Sequence, residues 1–213
     1  MIRPLALLCS CWVAAVHAQS TGGGPAAGPP PANWVSASFT VQQAFEVNDG
    51  DTHTHWNFQQ ALQYRAAIDR SIGHGITLGV GLAYATPNMT YSPRYGAVGV
   101  PIDCATSCAG SGNIAQALIT ARGSLDYVFR PIYQVSIGVA SLSGFREASG
   151  ETLPPNGRTG LTGGLGLGIG YAYNDRTELD LLQEGWFMAT VNRTAGSSIP
   201  HPLATGVGFR FGF

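Results

Sequence analysis

The sequence contains no lysine, little charge of either sign and only four cysteines, and each scarcity removes a class of protein. Its 213 residues carry 11 basic side chains, all of them arginine, against 12 acidic ones, and only 11% of the chain is charged. A nearly neutral chain of this kind has no electrostatic footprint for nucleic acid. Beyond the N-terminal leader there is no run of roughly 18 apolar residues, which excludes membrane-spanning helices. What the chain does have is glycine, aromatics and a persistent alternation of apolar and polar residues.

Residues 1–18 read as a secretory signal peptide. Arg3 supplies the positive start, Leu5 to Val16 the apolar run, and Val16-His17-Ala18 a small-residue cleavage site. Cys9 and Cys11 leave with it, so Cys104 and Cys108 are the only cysteines of the mature chain. Residues 19–33, with Gly22-Gly23-Gly24 and Pro29-Pro30-Pro31, cannot bury a core and read as a disordered or polyproline-like periplasmic leader. The remainder, 34–213, forms one domain.

The last stretch fixes the class of that domain. Leu203, Val207, Phe209, Phe211 and Phe213 share one face at period two, while Ala204, Gly206, Gly208, Arg210 and Gly212 share the other. A strand that turns such a face to lipid must have its backbone paired on both sides, which implies a closed barrel. The same stretch resembles the C-terminal signal by which bacterial outer-membrane barrels are recognised for insertion. Gly208, Phe211 and Phe213 match that signal, and Gly206 stands where it has a polar residue.

From Trp34 onward eight alternating segments follow, separated in turn by a long loop and a tight turn. The fold expected is all-β, a membrane-spanning up-and-down antiparallel barrel of eight strands. Large apolar residues such as Phe39, Leu78, Val80, Ile137, Leu167 and Leu181 point outward, and Ser, Thr, Gln, Gly and charged residues point inward. A secreted lipocalin-like barrel would show the opposite. In the fourth segment Ile114 and Leu118 fall on the polar face, so its phase is the least defined. Outward aromatics are expected at two interface levels. Phe45, Trp56, Phe58, Tyr84, Phe145 and Phe187 would form the upper one, and Tyr127, Phe129, Tyr133, Tyr171 and Tyr173 the lower, with Phe211 and Phe213.

The inward face carries Glu46, Arg65, Arg122, Asp126, Glu178, Asp180, Glu184 and Arg210. Charges inside a narrow barrel need partners, so an arginine–carboxylate network is expected, with Arg210 reaching Glu178 or Asp180. Acids exceed arginines in this set, which calls for a protonated carboxyl or lumen water. An eight-stranded barrel has an interior that side chains just fill, which disfavours a diffusion pore. Gly164, Gly166, Gly168 and Gly170 either make room for large inward side chains such as Arg122 or Trp186, or open a small cavity.

In the loops, Cys104 and Cys108 are expected to pair in an oxidising compartment and stiffen the second loop. Asp49, Asp51, His53 and His55 in the first loop form an incomplete metal-ligand set, and no metal site is assigned.

As a whole the chain resembles the small eight-stranded outer-membrane barrels of the OmpA transmembrane-domain and OmpX type. The resemblance implies a monomer without cofactor, inserted by the barrel-assembly machinery among outer-membrane lipid and lipopolysaccharide, with a structural or surface-interaction role. With Phe213 closing the last strand, a peptidoglycan-binding domain after the barrel is not expected. The alternatives are a narrow channel, porin-like or carrying small apolar solutes, and an enzyme acting on lipid A. The enzyme would need a His and a Ser two apart on a lipid-facing strand with a supporting carboxylate. His53, His55, His74 and His201 all fall in loops and turns, and none precedes a Ser by two.

Overall fold

Period-two alternation, interrupted at a few polar or glycine positions, carries the chain into eleven strands. The computed structural model describes residues 31–125, 127–155, 157–189 and 198–213, so the expected signal peptide, nearly all of the leader and Asp126 lie outside the described residues. The strands are β1 (Asn33–Gln42), β2 (Phe45–Asp49), β3 (Thr54–Phe58), β4 (Ala61–Gly73), β5 (Ile76–Ala85), β6 (Asn88–Pro93), β7 (Cys108–Ser124), β8 (Phe129–Glu147), β9 (Gly157–Asn174), β10 (Thr177–Ala189) and β11 (Leu203–Gly212).

Eight of them close a ring. β1 pairs with β4 on one side and with β11 on the other, and the ring runs β4–β5–β7–β8–β9–β10–β11, antiparallel throughout. Phe39 stands between Val207 and Tyr64 at the closing seam. Among the described residues the ring leaves no backbone edge to satisfy in lipid. The outward face is apolar around the ring: Leu78 is 44% exposed, Leu167 61% and Phe209 46%. A soluble barrel would hide these side chains. This face and the closed ring make the chain a membrane-spanning barrel of the outer-membrane kind.

The remaining three strands extend the ring on its loop side. β2 lies beyond a break at residues 43–44, β3 precedes one at 59–60, and β6 follows one at 86–87. They pair in the order β2–β3–β6 and join β7 through β6. In this extension the sides exchange roles. Val47, Trp56, Phe58, Met89 and Tyr91 are buried inside with Ile114, Leu142, Phe145, Leu153 and Met188, while Glu46, Asn57, Asn88 and Thr90 face out. The extension has the core of a water-soluble protein.

This exchange corrects the expected upper aromatic level. Phe45, Trp56, Phe58 and Phe145 are inward, and the rings of Trp56 and Phe145 meet at a tilt of 45° with centroids 4.8 Å apart. Side chains alternate across a strand, so an irregular step that changes the count by one sends every later residue to the opposite face. Such steps fall at residues 43–44 and 59–60, and in β8 at Gly144, whose φ of +64° accompanies a register shift against β7. Tyr84 and Phe187 do face outward on the loop side, and Tyr127, Phe129, Tyr133, Tyr171, Tyr173, Phe211 and Phe213 do so at the turn side.

The fourth transmembrane strand, β7, has Ile114, Leu118 and Arg122 inside and Ile119 outside. The inward glycines of β9 face the bulkiest strand of the lumen. Gly164, Gly166, Gly168 and Gly170 stand opposite Trp186, Glu184, Leu182 and Asp180 of β10. A Cβ at Gly164 would come within 2.8 Å of the Trp186 indole, and one at Gly170 within 2.9 Å of the Glu178 carboxylate. They make room for large neighbours.

Candidate functional site

The lumen is built in tiers from residues that alternation turns inward. At the turn end, Arg122 of β7 donates to both oxygens of Asp180, at 2.7 and 2.8 Å, and to Glu178. Arg210 of β11 donates to Asp69 at 3.0 Å, and its other nitrogen lies 3.9 Å from Glu178. Its guanidinium also stacks on Trp34, 4.9 Å from the ring centroid. Arg210 therefore lies between Asp69 and Glu178, the second being one of the two acids to which the sequence pattern directs it. Arg130 lies inside β8 and donates to Glu178 at 3.2 Å.

One tier up, Arg65 of β4 donates to Glu184 of β10 at 2.9 Å and stacks over Trp186 at 5.0 Å. Gln134 donates to the same Glu184 oxygen at 2.7 Å. Thr40, Gln63, Gln116 and Thr162 form a hydrogen-bonded row across the barrel from β1 to β9, with steps of 3.1, 3.1 and 3.5 Å. Between these tiers lies a cavity of about 50 Å³ lined by Ser38, Asp69, Arg65, Gln134 and Glu184. Its size and polar lining suit ordered water. Above it the apolar cluster around Trp56, Phe58 and Phe145 fills the interior.

The charge balance differs from the sequence expectation. Glu46 lies beyond the break in β1–β2, is 61% exposed, and sits 4.0 Å from His55 on the outer surface. With Glu46 outside and Asp69 and Arg130 inside, the described residues of the lower lumen set Arg65, Arg122, Arg130 and Arg210 against Asp69, Glu178, Asp180 and Glu184. Four cations meet four anions. Asp69 lies on the polar face of its strand's alternation, whereas Arg130 stands beside Pro131, a residue common in turns.

At the loop end, Cys104 and Cys108 form a disulfide with Cα atoms 4.9 Å apart. Cys104 is buried in the apolar cluster and Val100 packs against it, so the loop is held at its base while Tyr95, Val98 and Ile102 project at 102%, 81% and 92% exposure. Closing so small a ring stabilises by about 2 kcal/mol in the chain-entropy treatment. Reduction should therefore loosen the loop and leave the transmembrane ring folded, which heat-modifiable gel mobility with and without reductant would check. The first-loop candidates separate. Asp49 turns inward to Arg158 at 2.7 Å, while His55 faces out and shares its Nδ1 with Asn48 at 2.8 Å.

Tyr91, fully buried in the extension, has a hydroxyl with no hydrogen-bond partner among the described residues. Burial first, and then the Asp49 carboxylate, push its pKa up to about 12. The unfolded chain releases this proton near the ordinary tyrosine value of about 10. Stability from this group is then complete below pH about 10 and is lost as pH rises towards about 12. Tyr91→Phe should flatten that alkaline decline without loss of stability at pH 7, because it deletes an unpaired buried hydroxyl. Denaturant titration across that pH range measures it.

No family model matches the chain, and no curated protein matches its sequence. Solved structures do match its fold. Neisserial surface protein A, from Neisseria, superposes with a TM-score of 0.53 at 14% identity, covering 87% of this chain and 100% of that one. The outer membrane protein OprG from Pseudomonas aeruginosa gives 0.51 at 12% identity, covering 87% and 98%. At such identities the likeness is one of fold, and the fold shared is that of a small eight-stranded outer-membrane barrel.

Proposed function

We propose that this eight-stranded barrel is a non-enzymatic protein of the bacterial outer membrane, closed to solutes along its axis, whose working surface is the loop end. The observation that carries the reading is the double seal: a charge-balanced ionic tier at the turn end and an apolar plug at the loop end. Either alone would impede a hydrated solute, and among the described residues a cavity of about 50 Å³ lies between them.

The extension then serves as a pedestal. From Tyr84 to Pro93, at about 3.3 Å per residue and a tilt of about 40°, the chain climbs roughly 20 Å past the interface level. Tyr95, Val98 and Ile102 are thereby presented beyond the acyl region on a base pinned by the disulfide. A pinned loop loses little further entropy on binding, which suits contact with another surface.

Gly208, Phe211 and Phe213 fit an insertion signal for the barrel-assembly machinery, and the outward belt fits a monomer surrounded by lipid. Phe213→Ser should lower the amount of heat-modifiable protein in the membrane fraction. The closure itself is tested by conductance of purified protein in planar bilayers. Silence is expected, and steady openings would favour the narrow-channel alternative.

A further inference from the structure

The apolar belt is not uniform. On its loop-side half, between β8 and β11, there is a groove of about 530 Å³ in the outer wall. Two outward positions that elsewhere carry large side chains are glycine. Gly163 stands between Ile137 and Phe187, and Gly185 between Leu165 and Leu203. The side chain missing at Gly185 leaves a notch lined by Leu165, Leu203, Ile137, Phe187 and Val135. His201 sits at the rim, exposed, just before β11.

The volume falls in the range of about 300–1,000 Å³ typical of small-molecule sites. Its lining is almost wholly apolar, and it is continuous with the face that meets lipid. Water is a poor occupant of such a surface, and a straight-chain hydrocarbon is a good one. Long loops lie outside the cell and short turns in the periplasm, so the loop-side half of the wall meets the outer leaflet. The acyl chains there belong to lipopolysaccharide.

We propose that the groove at Gly163 and Gly185 seats one acyl chain of lipid A, with His201 placed at the level of its headgroup. The inference rests on the membrane-barrel reading above, and it adds a defined site to what is otherwise a uniform solvent-like contact. Gly185 supplies the open depth. Phe187 already lies over Gly163, where a Cβ would meet its ring at 2.5 Å, so that position cannot be enlarged without moving a wall. Gly185 is different: a Cβ there meets only Leu203, at 3.5 Å. A larger side chain at 185 therefore fits the wall and fills the groove.

Native mass spectrometry of the folded barrel, released from detergent containing equal amounts of lipid A and phosphatidylethanolamine, tests the seat. One retained lipid A per barrel is expected. Gly185→Leu should lower its occupancy at least tenfold, and Leu165→Trp, which fills the groove from its side, should do the same. Ala66→Leu, outward on the opposite wall, should leave occupancy unchanged. Retention that ignores residue 185 and residue 165, retention of phosphatidylethanolamine in preference, or no retained lipid would each overturn the proposal. Failure of the unmodified protein to fold in detergent would instead remove the membrane-barrel reading beneath it, and heat-modifiable mobility distinguishes that case.

Discussion

Trp56→Ala is expected to destabilise the folded barrel by roughly 3–5 kcal/mol, the usual cost of emptying a large aromatic from a close-packed core. Trp56 is fully buried, donates its indole N–H to Thr54 at 2.9 Å, and packs on Phe145. Little nearby could collapse to fill the space, because Val47 and Phe58 are fixed in the paired strands β2 and β3 and Phe145 in β8. Tyr64→Ala on β4, the next strand along the chain, is the control. Its ring is 52% exposed on the outward face, and its loss should cost several-fold less. Both values come from urea unfolding of the refolded protein in detergent micelles. Equal costs at the two positions would mean that Trp56 faces lipid.

The second large effect belongs to the ionic tier. Arg122→Met strips Asp180 of its guanidinium and leaves Glu178 with only its other two arginines. An uncompensated charge in a buried site costs about 3–5 kcal/mol. Adding Asp180→Leu to the same chain should recover most of that loss, since the pair leaves together and Arg65, Arg130 and Arg210 still face Asp69, Glu178 and Glu184. The expected signature in unfolding free energy is therefore a strongly non-additive double-mutant cycle. Additive losses would show that Arg122 and Asp180 do not act as a pair.

How far the sequence can be read follows from the period of a strand. Wherever alternation runs unbroken, as in β5, β10 and β11, the faces in the structure are those the residues announce: Leu78 and Leu181 outside, Glu184 and Arg210 inside. Closure followed from the same pattern, because an apolar outward face leaves no other way to satisfy the backbone. The errors all sit beyond an irregular step. A local break in the outward series was visible at Gln43 and Gln60, polar residues where the belt should continue, and at Ser141 and Ser143 before Phe145. Each marks the point where the wall leaves lipid and the inside becomes the apolar side. Taken as gaps in a continuing face, they put Phe45, Trp56, Phe58 and Phe145 at the interface and Glu46 in the lumen. The long-range partners of the charges were less legible still. That Arg210 reaches Asp69 as well as Glu178 of β10 depends on side-chain length and direction across the lumen, which no spacing along the chain encodes.

The exchange of faces at residues 59–60 is the most direct test of the whole account, and spin-label accessibility along β3 and β4 measures it. Single labels at successive positions from 54 to 68 would be compared for collision with oxygen, which partitions into lipid, and with a water-soluble nickel chelate. The account predicts that even positions from Leu62 to Ile68 respond to oxygen, that positions 55 and 57 respond to nickel, and that positions 56 and 58 respond to neither. An oxygen response that continues through 56 and 58 in unbroken alternation would contradict it.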